Sequence, residues 1–414
     1  MNKSDLKIYI VGAGVSGLIA AKVLEAHGYR SIVIESTDRV GGRVKTDVIN
    51  GFQLDHGFQV LLTSYPEAQK HLDYDALELQ KILPGASIFI NRKQKLIGDP
   101  LRDISFFFST LFSGIGGFSD KLKILKLNHI LKNKSLPEIF SETELSTALY
   151  LNQFGFSDEI IRDFFKPFFG GIFLESKLET SSRMFEFVYK MFGEGDAAFP
   201  KSGMEAIPKQ LYETLQNTDF TFNTNVASVK KGIITLEDQT QLESDITILA
   251  TDSNDLLINK KSKPINWKSC YTLYFETNNR VIRDKLIGLV PEQDTLINNI
   301  FYHTSLKMTS NPSKELLSVT VIDDQCLSDE ILISRVKDEL KKYCGIVSPK
   351  FIKMYSISKA LPKLFDLKCD LKSSEICLEP GVFLAGDYLL NGSLNASMIS
   401  GERAAISAIE YLNN

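Results

Sequence analysis

Three glycines in G-x-G-x-x-G spacing, Gly12, Gly14 and Gly17, stand between an apolar run and an amphipathic one, and few folds accommodate that order. Residues 7–11 predict a short strand, 18–26 recur at helical spacing up to Gly28, and 31–34 predict a second strand. Strand, turn, helix and strand within ~30 residues form a βαβ unit, whose crossover makes the two strands parallel. The expected fold class is therefore α/β. At the turn, Gly12-Ala13-Gly14-Val15-Ser16-Gly17 carries little side chain, so a pyrophosphate can reach unpaired N–H groups at the helix start. Glu35 closes the second strand ~20 residues later, where a carboxylate can accept both hydroxyl hydrogens of an adenosine ribose.

NAD and FAD share the ADP half that such a unit reads. The residues after Glu35 separate them. Glu35-Ser36-Thr37-Asp38-Arg39-Val40-Gly41-Gly42-Arg43 sets two guanidinium groups, Arg39 and Arg43, and a glycine nest beside the same phosphates. Far along the chain, a strand ending at Gly386-Asp387 offers a carboxylate for polyol hydroxyls. A helix starting near Asn395, with Ala396 and Met398 in its first turn, aims N–H groups and a positive dipole end at one spot. Reduced flavin is anionic at N1 and O2, so a helix N-terminus there favours the reduced form. The expected cofactor is FAD.

With 414 residues, 43% of them hydrophobic, the chain exceeds the usual ceiling of one compact domain, and two are expected. A net charge of -4 supplies no overall positive field, so no nucleic-acid partner is expected. Cys270, Cys326, Cys344, Cys369 and Cys377 are odd in number and form no C-x-x-C pair, which points to reduced thiols, a cytoplasmic compartment and no metal. The charge-free run 8–21 superficially resembles a signal peptide, but its glycines and the helical spacing of Lys22 and Glu25 read as strand, turn and helix. No charge-free stretch reaches the ~18 residues of a membrane-spanning helix.

From about 66 to 192 the sequence predicts an inserted helical region, interrupted at 114–117 and 167–171. β-type runs return at 220–229, 233–236 and 245–250. Alternation resumes at 271–276, 316–322 and 353–358, with a helix near 329–343, and suggests a second, largely β sheet. Residues 382–385 predict a strand and 395–412 a long helix. The expected division is a Rossmann-type FAD domain from 1–65, 195–260 and 365–414, with an α+β substrate domain inserted from 66–194 and 261–364.

Taken together, these motifs resemble the flavin-containing superfamily of amine oxidases, protoporphyrinogen oxidases and phytoene-type desaturases. Residues 199–211, F-P-K-S-G-M-E-A-I-P-K-Q-L, look like that family's stretch leading back to the FAD domain, and 248–252 look like the strand closing that lobe. Asn225-Val226 resembles the strand whose backbone meets adenine, and 381–405 the C-terminal flavin signature. In 51–60, G-F-Q-L-D-H-G-F-Q-V, the resemblance brings Asp55, His56, Gly57 and Phe58 close to the flavin ring. His56 invites a role as base, yet a histidine without a visible partner is more often structural, and no catalytic residue is assigned.

Amine oxidases of the superfamily often carry a Trp or Tyr where this chain has Asn391-Gly392-Ser393-Leu394, and Ala360-Leu361-Pro362 resembles the porphyrinogen-oxidase and desaturase branches. The leading expectation is hydride transfer to flavin N5 from a largely hydrophobic substrate, isoprenoid or carotenoid-like or a tetrapyrrole precursor. An amine oxidase releasing peroxide and a non-catalytic flavin-binding scaffold stay open. The charge-free run 104–119 leads into Lys121, Lys123, Lys126, Lys132 and Lys134 among leucines and isoleucines. Residues 104–134 thus suit either peripheral contact with a lipid surface or a buried lid with solvated lysines. The cluster F-F-K-P-F-F-G-G-I-F at 164–173 suits a substrate tunnel or plain core.

Overall fold

The structure is a computed structural model that describes residues 3–99, 102–103, 114–230, 232–253, 256–257, 265–309, 312–322 and 326–413. Strand Ile8–Val11, helix Val15–Ala26 and strand Ser31–Ile34 form the expected βαβ unit, with Tyr9 beside Ile32 and Ile10 beside Val33 in parallel register. They belong to a six-stranded sheet in the order Thr218–Thr221, Ser31–Ile34, Ile8–Val11, Ile246–Leu249, Val382–Leu384 and Cys377–Glu379, parallel except at the last strand. Its central strands I-Y-I-V, I-T-I-L and V-F-L are apolar runs because helices and other elements cover both faces. The helix Leu394–Asn413 packs closely on Val15–Ala26, and small residues set the distance. A Cβ on Gly401 would stand 2.2 Å from the Ser16 carbonyl oxygen, and one on Gly17 2.1 Å from that of Gly12. The two ends of the chain therefore meet at the glycine turn.

A seven-stranded sheet runs Lys350–Pro362, Trp267–Thr277, Glu315–Val321, Ile297–Tyr302, Ile287–Leu289, Gly85–Ile90 and Lys93–Gly98. Helix Asp329–Cys344 lays Leu332, Val336 and Leu340 against one face, onto Leu273, Val319 and Ile300. Gly85–Ile90 and Lys93–Gly98 correct the expectation that the whole of 66–192 is helical. Their connection, Asn91-Arg92, has φ of 51° and 63°, which matches the twist of a two-residue hairpin without the glycine that usually announces one. Strands Ile287–Leu289 and Ile297–Tyr302 were also not expected.

Several helices cover the remaining side, among them Phe118–Lys132, Lys166–Phe173 and Ser182–Glu194. Residues 167–171 do not interrupt a helix as expected. Ile161–Phe165 makes a π-type turn, and Pro167 then sits in the first turn of Lys166–Phe173, where its missing N–H costs little. Among the described residues, no helix is long and apolar enough to cross a membrane. The run 104–113, part of the suggested lipid contact, lies outside the described residues.

Candidate active site

One cavity of about 1920 Å³ extends from the glycine turn to the phenylalanine-rich helices. At the first end, Gly14 begins helix Val15–Ala26 with no side-chain cap, leaving the backbone of the first turn without a side-chain acceptor. Gly41 pairs with Gly14 in a parallel bridge, and a Cβ on Gly42 would stand 3.2 Å from the Gly14 Cα. Two bare stretches of backbone thus form one cradle fit for a phosphate group. Glu35 borders it, buried, with Oε2 accepting from the Ala13 N–H at 2.8 Å and Oε1 from the Thr37 N–H at 2.9 Å. Its carboxylate is held in place while facing the cavity.

Gly12, Gly14, Val15, Ser16, Glu35, Ser36, Gly41, Gly42, Arg43, Gly57, Phe58, Val226, Gly386 and Asp387 all line this cavity. The other candidates stand behind its wall. Ala13 serves through its N–H to Glu35, and Gly17 by letting the helix start close against the Gly12 carbonyl and Ala250. Arg39 turns away to Asp47 at 2.7 Å and Glu205 at 3.5 Å, leaving Arg43 as the guanidinium at the cradle. Asn395, Ala396 and Met398 are also behind it: Asn395 accepts from the Glu67 N–H, while Ala396 and Met398 are fully buried. The helical repeat instead turns Ser393, Leu394 and Ser397 to the cavity, and the Ser393 hydroxyl caps the Ala396 N–H at 3.0 Å. Thr37, Tyr388 and Trp267 line it as well. Thr37, two residues beyond Glu35, could have been read as a local hydrogen-bonding partner.

His56 does have a partner. Its Nε2 lies 2.9 Å from Asp47, which also accepts from Tyr355 at 2.7 Å, and the rings of His56 and Tyr355 lie 4.3 Å apart. Burial pushes the Asp47 carboxyl upward, but hydrogen bonds from Tyr355, Arg39 and His56 outweigh it and hold the group well below the usual carboxylate range. The phenylalanine cluster divides. Phe165 is buried away from the cavity, while Phe164, Phe168, Phe169 and Phe173 line it, so the segment is both core and wall. Glu67, His71 and Glu402 gather in a metal-ligand arrangement, but Lys70 pairs with both carboxylates and offsets their charge.

This fold, with a phosphate cradle opening into an apolar chamber, is that of a flavin-dependent oxidoreductase. The chain belongs to the flavin containing amine oxidoreductase family, which it matches over residues 15–409, and its cofactor is FAD. It is 29% identical over 171 residues to protoporphyrinogen oxidase 2, chloroplastic/mitochondrial, of Arabidopsis thaliana, covering 41% of this chain and 32% of that protein. It is 26% identical over 149 residues to 4,4'-diapolycopen-4-al dehydrogenase of Metabacillus indicus, covering 36% and 28%. The chain spans about a third of the length of these curated relatives. Its fold is similar to that of cyclohexylamine oxidase from Brevibacterium oxydans IH-35A, with a TM-score of 0.70 and 15% identity across 99% of this chain and 100% of the other.

Proposed function

We propose that the protein removes a hydride from a largely hydrophobic substrate, either an isoprenoid or carotenoid-like molecule or a tetrapyrrole precursor. The observation that carries this reading is the continuity of the cavity, from the Gly14–Gly42 cradle to walls of Phe164, Phe168, Ile172 and Phe192. The chemistry that FAD supplies when bound is hydride acceptance. Gly12, Gly14, Ser16 and Gly41 to Arg43 would hold the phosphates, Glu35 the ribose, Val226 the adenine side and Asp387 the polyol hydroxyls. Gly57, Phe58, Ser393 and Ser397, which also line the cavity, would border the ring. The apolar wall orients the reacting carbon and excludes water. Relatives named for a porphyrinogen and for a diapolycopenal support an apolar substrate. We assign the cofactor domain to 1–65, 195–260 and 365–414, with the remainder holding the substrate.

Purified protein mixed anaerobically with detergent-dispersed carotenoid and porphyrinogen panels is expected to show bleaching of its flavin absorbance. Peroxide release with a polyamine or amino acid panel, and no bleaching by apolar compounds, would replace this reading with an amine oxidase. Bound FAD that no substrate class reduces would leave a flavin-binding scaffold.

Substrate entry from a lipid surface accompanies this reading. Phe118, Leu122 and Leu125, at helical spacing on Phe118–Lys132, are 69%, 52% and 44% exposed, and all three also line the cavity. Lysines on the same helix, Lys121, Lys123, Lys126 and Lys132, suit anionic headgroups.

A further inference from the structure

Three uncharged polar side chains of the seven-stranded sheet share one face, and two of them, Asn299 and Thr320, border the cavity. Asn299 lies directly opposite Thr320, and Thr320 directly opposite Thr272, so three neighbouring strands place these side chains on one face. The alternating residues Leu273, Val319 and Ile300 point the other way, beneath helix Asp329–Cys344. All three polar residues are buried, with exposures of 2%, 3% and 0% for Asn299, Thr320 and Thr272. Yet Asn299 Nδ2 and both threonine hydroxyls have no hydrogen-bond partner among the described residues. Buried polar groups are nearly always paired, so three neighbours left open on one face call for an explanation. Asn299 and Thr320 stand on the cavity wall itself.

We propose that this row is a polar subsite for the substrate, taking an uncharged hydrogen-bonding group, a hydroxyl or carbonyl, carried by an otherwise apolar molecule. It rests on the reading of this cavity as the substrate chamber. An amide and two hydroxyls can both donate and accept, which suits a neutral head. They offer no counter-charge, so a carboxylate or ammonium placed there would lose hydration without compensation. The row continues to Tyr355, opposite Thr272, but that hydroxyl is already given to Asp47. Nearby wall residues Leu83 and Ile287 are aliphatic, leaving the row to orient a ligand whose remainder is apolar.

The test titrates FAD-loaded protein with 1-octanol, octylamine and octanoate by calorimetry. Wild type is expected to bind the alcohol at least ~10-fold more tightly than either ion. Thr320→Val and Asn299→Leu are each expected to weaken octanol binding ~10-fold. The same variants keep or raise Tm, because they remove buried groups that lack partners in the free protein. Unchanged octanol affinity in both variants, or tighter binding of octylamine by wild type, would overturn the proposal. Failure of the underlying oxidoreductase reading is seen separately, as missing flavin absorbance or flavin that no substrate reduces, whereas the calorimetric preference needs no turnover.

Discussion

Arg43 and Asp387, 344 positions apart in the chain, meet through a 2.5 Å contact between Nη2 and Oδ1. The Asp387 carboxylate is buried, while Arg43 also donates to the Ala360 carbonyl at 3.2 Å and lies over the Trp267 ring at 5.2 Å. One guanidinium therefore ties the glycine cradle, the loop before the C-terminal helix and the seven-stranded sheet together. Asp387→Ala removes both the pair and the carboxylate that we propose for the polyol hydroxyls. FAD retained after gel filtration, read as flavin absorbance per polypeptide, is expected to correspond to ~10- to 100-fold weaker binding, the scale of ~1–3 kcal/mol for a lost charged hydrogen bond. Full retention would remove Asp387 from the cofactor site.

Gly14 and Gly17 separate fold from cofactor. A Cβ on Gly14 meets nothing nearer than the Gly42 Cα at 4.0 Å, and its φ of -72° is ordinary for alanine. Gly14→Ala is therefore expected to fold with Tm within ~2 °C of wild type while losing at least ~10-fold in FAD affinity, because the methyl group occupies the phosphate cradle. Gly17→Ala forces a Cβ to 2.1 Å from the Gly12 oxygen. An overpacking cost of ~1–3 kcal/mol or more should lower its Tm by several degrees, before any effect on FAD is read. Equal Tm losses in the two variants would contradict this division.

The cofactor end was legible because its signals are local. Glycine spacing, a carboxylate at a strand end and a second glycine pair each constrain backbone within a few residues. Arg39 and Arg43 were indistinguishable on those terms, since what separates them is Asp47 and Glu205, brought in by a hairpin and a distant helix start. Likewise the C-terminal helix was evident, with its start near Asn395, but its rotation was not: Leu394 and Ser397 face the cavity, while Asn395, Ala396 and Met398 pack behind it. The polar row was beyond reach, because Asn299, Thr320 and Thr272 become neighbours only through strand register.

Asp55 is fully buried, accepting from Thr46 Oγ1 at 2.5 Å and the Met204 N–H at 2.9 Å. Burial pushes its carboxyl up from 3.8 to about 6 despite those donors, with Glu205 adding to the rise. A folded-state value above the unfolded one means that this group's contribution to stability is fully present below pH ~4 and is lost as pH rises through about 6. Asp55→Asn keeps an acceptor and cannot ionise. Its stability relative to wild type should rise between pH 4 and 6 and level off above, by at most roughly 2–3 kcal/mol. Chemical denaturation across that range checks the sign. A gap that is constant with pH would mean that Asp55 titrates normally.

The exposed stripe on Phe118–Lys132 can be tested at positions whose replacement leaves the core intact. Leu127 and Leu131 anchor the helix from its buried side, whereas Phe118, Leu122 and Leu125 are largely exposed. Each apolar side chain inserted at a lipid interface contributes on the order of 1–2 kcal/mol. The triple change to serine is therefore expected to reduce co-sedimentation with anionic vesicles at least ~10-fold, with Tm unchanged within ~2 °C. Replacing Lys123, Lys126 and Lys132 by glutamate should weaken binding to anionic vesicles and leave the smaller binding to neutral ones unaffected, since only the headgroup attraction is reversed. If wild type ignores both kinds of vesicle but self-associates in a way the serine variant abolishes, the stripe covers a second copy of the chain instead. The cavity would then be entered across a protein interface rather than from lipid.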